Sequence, residues 1–260
     1  MPSRFEGTVI VRRKDKATED ARDVALTRST RDRIQLSLFC DASRRLDGDE
    51  GGIAVAYKAW IPGTFSRDDR RPTFEVAYPV NPLLDSGLGE LMAVSEALYI
   101  ATQEINKIKR LRDYRGRRVC VRIFNDNKYN IEYLKGTRRL AKAFHTLATP
   151  VLYLIAVQSR RLQQTSGVDV ELFLHWLPGH KHRVRIHELV DEMAVSARYN
   201  QRAFSTKTGN EWEYWEDPVA VKFLGDRLTV AAARAARLDP KYHRPDPGSP
   251  STTPPDAISA

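Results

Sequence analysis

Three short apolar runs joined by turns, then a helix, then alternating strands and helices, constrain this chain more than any other feature. Strand-like segments fall at 34–40, 52–60 and 73–80. Asp47-Gly48-Asp49-Glu50-Gly51 separates the first two, and Pro62-Gly63 with the charged run from Arg67 to Arg71 separates the second from the third. Both interruptions carry hairpin turn chemistry. Leu91, Val94, Leu98, Thr102 and Ile105 recur at helical spacing and predict a helix from about Gly89 to Lys109. A strand at 118–124, a helical stretch from Lys128, a long helical region between 137 and 164 interrupted by Pro150, a strand at 168–176 and a helix at 186–199 complete the order βββαβαβα. Hairpins make the first three strands antiparallel, and strand–helix–strand units demand a parallel portion of the same sheet. The expected fold class is α/β: a mixed five-stranded sheet, three antiparallel strands then parallel ones, flanked by helices.

The ends of the chain differ from this centre. Residues 1–32 are charged and weakly patterned, and we expect a flexible arm with a short strand at 7–11. Residues 33–200 form the domain. Beyond Asn200 come Trp212, Tyr214 and Trp215 in an acidic loop, whose rings are expected to pack against the domain. Asp217-Pro218 then reads as an N-cap and first helical position, predicting an extra C-terminal helix to about Leu238. Residues 239–260 are rich in Pro and Ser and are expected to be disordered.

The chain carries 42 Lys and Arg against 33 Asp and Glu, a net charge of +9, which points to a polyanionic partner. Cys40 and Cys120, each inside an apolar run, read as buried free thiols; they make neither a metal motif nor a disulfide framework. A reducing compartment, cytoplasmic or nuclear, is expected. No apolar run approaches the ~18–20 residues of a membrane span. Glu6, Asp15, Glu19 and Asp20 argue against a transit peptide. Nothing implies a protein partner, and a monomer is expected.

Four acids stand where chemistry can be done. Asp41 closes the apolar strand from Ile34, Glu90 opens a helix, Asp126 closes the strand from Val119, and Asp191 lies on a helix shortly after Trp176-Leu177-Pro178-Gly179-His180. Singly, each has a bland reading as a turn residue, a helix cap, a dipole partner or a charged helix face. Converging, they would repel one another unless divalent cations sat between them. Mg²⁺ favours carboxylate and phosphate oxygens, and two ions roughly 3.5–4 Å apart clamp the attacking and leaving oxygens of a phosphodiester. Histidines 175, 180, 182 and 187 cluster in one region, but no cysteine joins them and their spacing fits no standard zinc motif. His180 and His182, in a Gly/Lys/Arg loop, are the better candidates for acid–base help. Lys135, Arg138, Arg139 and Lys142, with Lys181, Arg183 and Arg185 on the loop, would make a phosphate track beside the acids.

Taken in order, Phe39-Cys40-Asp41-Ala42-Ser43, Gly51-Gly52-Ile53-Ala54, Gly89-Glu90-Leu91-Met92-Ala93, Asn125-Asp126-Asn127-Lys128-Tyr129, His175 to His180 and Glu188 to Ala194 resemble type 1 ribonuclease H over roughly residues 34–200. The resemblance implies a ribonuclease H-like fold and two-metal hydrolysis of the RNA strand of an RNA/DNA hybrid, with Mg²⁺ or Mn²⁺. Asp41, Glu90, Asp126 and Asp191 would be the metal ligands. His180 or His182 would assist proton transfer or product release. Ser43, Asn127 and Lys128 would touch substrate, and the stretch from Lys135 to Lys142 would match the family's basic helical protrusion. Three departures bear on hybrid selectivity, because reading the 2′-OH is how a protein tells RNA from DNA. Asn127 stands where the family often has Ser, Lys128 where it has Gln, and Gly87-Leu88-Gly89 where an Asn often precedes the Glu. The rival readings are a non-catalytic nucleic-acid-binding module with the same fold, a DNA-directed or transposon-derived nuclease, and a scaffold that uses the fold as a surface.

Overall fold

The structure is a computed structural model and describes residues 5–26, 33–60, 74–110, 118–165, 167–179, 184–207 and 213–214. The first hairpin strand is long because Ile34 to Cys40 offer apolar side chains to both faces of a sheet. It becomes β2 (Arg33–Arg44), paired antiparallel with β3 (Gly51–Trp60), which pairs antiparallel with β4 (Phe74–Val80). On its other side β2 pairs parallel with β5 (Arg118–Asn125), and β5 pairs parallel with β6 (Asp169–Trp176). These five strands, in spatial order β4-β3-β2-β5-β6, are the mixed set the hairpin and strand–helix pattern predicts.

Among the described residues the sheet is nevertheless eight-stranded, not five-stranded. β1 (Thr8–Ile10) lies parallel to β6 at one edge, so residues expected as a flexible arm contribute a strand, followed by the helix α1 (Lys14–Leu26). At the other edge β7 (Phe204–Lys207) pairs antiparallel with β4, and β8 (Glu213–Tyr214) with β7. The reason is physical: β4 and β6 would otherwise present unpaired N–H and C=O groups, and short flanking segments satisfy them. The predicted C-terminal helix and the tail at 239–260 lie outside the described residues.

Strand alternation divides the core into two layers. Leu36, Leu38, Ile53, Val55, Val121 and Ile123 face one side. They are covered there by α2 (Ser86–Arg110), α3 (Lys128–Lys135) and α4 (Lys142–Gln163). Helix α2 begins before Glu90 because Asp85 Oδ1 accepts from the Leu88 N–H at 3.2 Å. Pro150 sits inside α4 without ending it; the lost backbone bond is outweighed by burying Leu147, Val151, Leu152 and Ile155 in the core. On the other side, Phe39, Ala54, Ala56 and Phe124 meet Val190, Met193, Ala194 and Ala197 of α5 (Arg185–Asn200), with Ala21 of α1 beside them. The small side chains of β3 let α5 approach so closely that a Cβ on Gly52 would collide with the Ala194 carbonyl oxygen. That contact seats α5, and with it His187 and Asp191, over the ends of β2 and β5.

Candidate metal centre

Parallel pairing of β2 with β5 brings Phe39 opposite Phe124, where their rings stack at 4.7 Å. Two residues beyond this last pair lie Asp41, still inside β2, which runs on to Arg44 rather than closing at Asp41 as expected, and Asp126, just past the end of β5. Parallel pairing thus brings the two carboxylates to one point. From above, α5 lowers His187 onto them. Ligand atoms of Asp41, Asp126 and His187 all lie within 4.8 Å of one another, and His187 Nε2 stands 3.8 Å from Asp126 Oδ2. Asp41 and His187 are buried, at 3% and 6% exposure, while the Asp126 side chain keeps 17%.

Glu90 reaches the same point from α2, on the opposite face of the sheet. Asn125 holds it: its Nδ2 donates to Glu90 Oε2 at 2.7 Å and to the Cys40 carbonyl at 3.2 Å, while its Oδ1 accepts from the Asn127 N–H at 3.1 Å. Asp191 lies one turn after His187 on α5, half-buried and outside the three-ligand group, though its charge acts on His187.

The charges explain the titration behaviour. Burial, and then the Asp126 charge, push the Asp41 carboxyl up to about 6, against the downward pull of His187, Glu90 and the Ala42 N–H, which donates to Asp41 Oδ1 at 2.7 Å. Burial with Asp41 and Asp126 raises Glu90 well above the ordinary carboxylate range. For His187, burial favours the neutral ring, but Asp126, Asp41 and Asp191 outweigh it and the pKa is raised. A bound cation would relieve the carboxylate repulsion that these shifts express.

The residues present therefore suit a divalent cation: two carboxylates and an imidazole converge, and the buried His187 Nδ1 has no hydrogen-bond partner among the described residues. The converging group adds a histidine, His187, to Asp41 and Asp126; Glu90 lies beside it, held by Asn125, and Asp191 one turn further along α5. His187 was legible only as one of four clustered histidines. Its spacing of one helical turn from Asp191 is the signal that it shares that acid's face. Asn125, in a stretch that reads as turn or helix-cap chemistry, is buried at the end of β5, and its amide orients Glu90.

Around this centre the other expected site residues fall as follows. Asn127 caps α3, its side chain accepting from the Asn130 N–H at 3.1 Å; this local role occupies the oxygen expected to touch substrate. Lys128 is exposed, with Nζ 5.2 Å from the centre of the Trp176 ring and 3.7 Å from Glu132. The Trp176 indole N–H donates to the Asp126 carbonyl at 3.0 Å, tying Lys128's neighbour to the centre. Lys135, Arg138, Arg139 and Lys142 are all exposed at the elbow between α3 and α4, which turns on the left-handed Gly136 (φ 83°). The elbow is a loop between two helices rather than a protruding helix. Arg138 lies 3.6 Å from the Tyr129 ring centre and pairs with Glu132 at 3.0 Å. Ser43 is half-buried on β2, opposite Gly52. His180, Lys181, His182 and Arg183 lie outside the described residues. His175 is buried and stacks on Phe124 at 4.7 Å, and burial with the Arg122 and Arg12 charges lowers its pKa to about 4, so it is a neutral core ring.

Gly179 closes the site. A Cβ there would run into the Asp126 carboxylate, coming within 3.1 Å of its Cγ as well. Because the obstacle is a side-chain end, Gly179→Ala should leave the fold intact and rotate Asp126 away from His187. We expect an unchanged melting temperature without metal and a loss of about tenfold or more in divalent-cation affinity, measured by calorimetric titration. Unchanged cation affinity would show that Asp126 is not held in place by this approach.

No protein-family model and no curated protein sequence matches the chain. Among solved structures, it is similar to the N-terminal RNase H domain of a Mycobacterium tuberculosis protein (15% identity, 65% of this chain and 96% of that one, TM-score 0.42). It is also similar to the RNase H1 of the halophilic archaeon Halobacterium salinarum (16%, 64% and 98%, TM-score 0.40). A third is LC11-RNase H1 in complex with an RNA/DNA hybrid (14%, 64% and 97%, TM-score 0.41). Strand order and helix placement, rather than these superpositions, define the architecture: an α/β fold with a mixed sheet and flanking helices, its five central strands in the order β4-β3-β2-β5-β6 and the sheet extended at both edges. No helix among the described residues is long and apolar enough to cross a membrane.

Proposed function

We propose that the protein is a divalent-cation-dependent nuclease that hydrolyses the RNA strand of RNA/DNA hybrids. The observation that carries this reading is the meeting of Asp41 on β2 with Asp126 just past the end of the adjacent parallel β5, with Glu90 delivered to the same point from α2. Asp41 and Asp126 would hold the cation, which when bound neutralises phosphate charge and lowers the pKa of a water. Asn125 fixes the Glu90 carboxyl through its 2.7 Å bond, so that this acid faces Asp41 rather than solvent. Lys128, Lys135, Arg138, Arg139 and Lys142, along α3 and the elbow before α4, are exposed and suited to backbone phosphates. Exposed Tyr129, faced by Arg138, offers a flat surface for a sugar or base. His180 or His182, on the loop after Gly179, is proposed to move a proton to the leaving oxygen.

The test is cleavage of a labelled hybrid with Mg²⁺ and with Mn²⁺, beside double-stranded RNA, double-stranded DNA and single strands. We expect cleavage of the hybrid's RNA alone, and binding that weakens with salt by a log–log slope of about −0.9 for each phosphate contact. Tight binding without cleavage under either cation would replace the nuclease with a binding module. Cleavage of duplex DNA would make it a DNA-directed enzyme.

A further inference from the structure

The donor set at the centre contains a nitrogen, and that has a chemical consequence. Ligand atoms that share one ion through bonds of about 2.0–2.2 Å stand roughly 3–4.2 Å apart, depending on the angle between them. The His187 Nε2 to Asp126 Oδ2 separation of 3.8 Å falls in that range and is too long for a direct hydrogen bond. His187 is 6% exposed, and its other nitrogen has no hydrogen-bond partner among the described residues. The ring is thus turned toward two carboxylates, whose charge attracts it when protonated; a cation shared with Asp41 and Asp126 fits the same spacing when the ring is neutral.

The kind of cation follows from the ligands. Mg²⁺ takes oxygen donors in near-octahedral geometry and gives up its waters reluctantly, so a buried imidazole suits it poorly. An imidazole beside carboxylates suits first-row transition cations, whose affinity for nitrogen donors exceeds that of Mg²⁺. Three protein ligands that leave a position open are the arrangement of a catalytic rather than a closed structural site. Glu90 is engaged by Asn125 and stands outside the group, so the three ligands define one ion.

We propose that Asp41, Asp126 and His187 form a three-ligand site for a single divalent transition cation, of the Mn²⁺ or Zn²⁺ class, in which His187 makes Mg²⁺ the poorer occupant. The inference deepens the nuclease reading by naming the cation, and it rests on that reading only for what the cation is used for.

The experiment uses the full chain, freed of metal and titrated with Mn²⁺, Zn²⁺ and Mg²⁺, with pulsed electron paramagnetic resonance on the Mn²⁺ form. We expect one Mn²⁺ per chain, displaced by Zn²⁺, bound at least about tenfold more tightly than Mg²⁺, and showing the nitrogen modulation of a directly coordinated imidazole. His187→Ala should abolish the modulation and weaken Mn²⁺ about 10–100-fold, while weak Mg²⁺ binding changes by less than about threefold. If that variant does not fold, His187→Gln is read in the same way, and the nitrogen signal of the unsubstituted protein decides without either. Bound Mn²⁺ lacking nitrogen modulation, or Mg²⁺ and Mn²⁺ bound equally, would overturn the proposal. The two readings separate cleanly. Nitrogen-coupled Mn²⁺ with no cleavage of any nucleic acid would keep the site and remove the nuclease. Hybrid cleavage with Mg²⁺ and nitrogen-free Mn²⁺ would do the opposite.

Discussion

Asp41→Asn is expected to lower hybrid cleavage by roughly 10³-fold or more, because it removes one of the two carboxylates that meet at the centre. The same substitution should make the cation-free protein more stable at neutral pH, an unusual pairing for a buried residue. Asp41's pKa is raised from 3.8 to about 6, first by burial and then by Asp126. The folded protein therefore keeps a proton that the unfolded chain has released. The stability linked to that proton is complete below pH 3.8 and is lost as pH rises through 6. It amounts to on the order of 2–3 kcal/mol. Glu90 and His187, both raised, act with the same sign, and His187's contribution is lost above its ordinary value of 6.5. Melting temperature scanned against pH in the presence of a chelator should thus fall from acid to neutral pH in the unsubstituted protein, and fall less in Asp41→Asn. Added Mn²⁺ should restore stability to the first and not to the second. A melting temperature that rises from acid to neutral pH would contradict the electrostatic account of the site.

Gly52→Ala is the second large effect. The added Cβ would meet the Ala194 carbonyl oxygen and stand 2.7 Å from the Arg198 backbone nitrogen, so the obstacle is helix backbone rather than a movable side chain. Helix α5 would have to withdraw from β3. Overpacking of this kind costs about 1–3 kcal/mol or more, and here the displaced element carries His187. We expect a clear drop in denaturation midpoint together with weaker Mn²⁺ binding, whereas Gly179→Ala should show the second effect alone. Equal stability in Gly52→Ala and the unsubstituted protein would mean that α5 is not seated by this contact.

Much of this could be read before any fold was known. Apolar runs leading to Asp41 and Asp126 mark strands, although β2 runs on past Asp41 to Arg44, and a hairpin pair followed by strand–helix units leaves few sheet orders. Less legible were the edges. The short strand expected at 7–11 is present at 8–10, but its pairing at the sheet edge was not read; the strands at 204–207 and 213–214 are four and two residues long, too short for periodicity to register. Helix α1 buries mainly Ala17 and Ala21 among charged neighbours, so its apolar stripe is faint. Asn127, expected to touch substrate in a stretch that also reads as a helix N-cap, is the N-cap of α3 and accepts from the Asn130 N–H.

The sequence by itself determined the central strand order and the elements that carry Asp41, Glu90 and Asp126, since these follow from alternation, turn chemistry and the twist of connections that local residues dictate. Only the tertiary structure decided who shares the centre. His187 belongs there because Gly52 admits α5 against β3, and Asp191 stands apart because it lies one turn further along the same helix. Asn125 matters because its amide reaches Glu90 around the end of the sheet. Distances across a sheet and between its two faces depend on how closely layers pack, and no local pattern of residues encodes that.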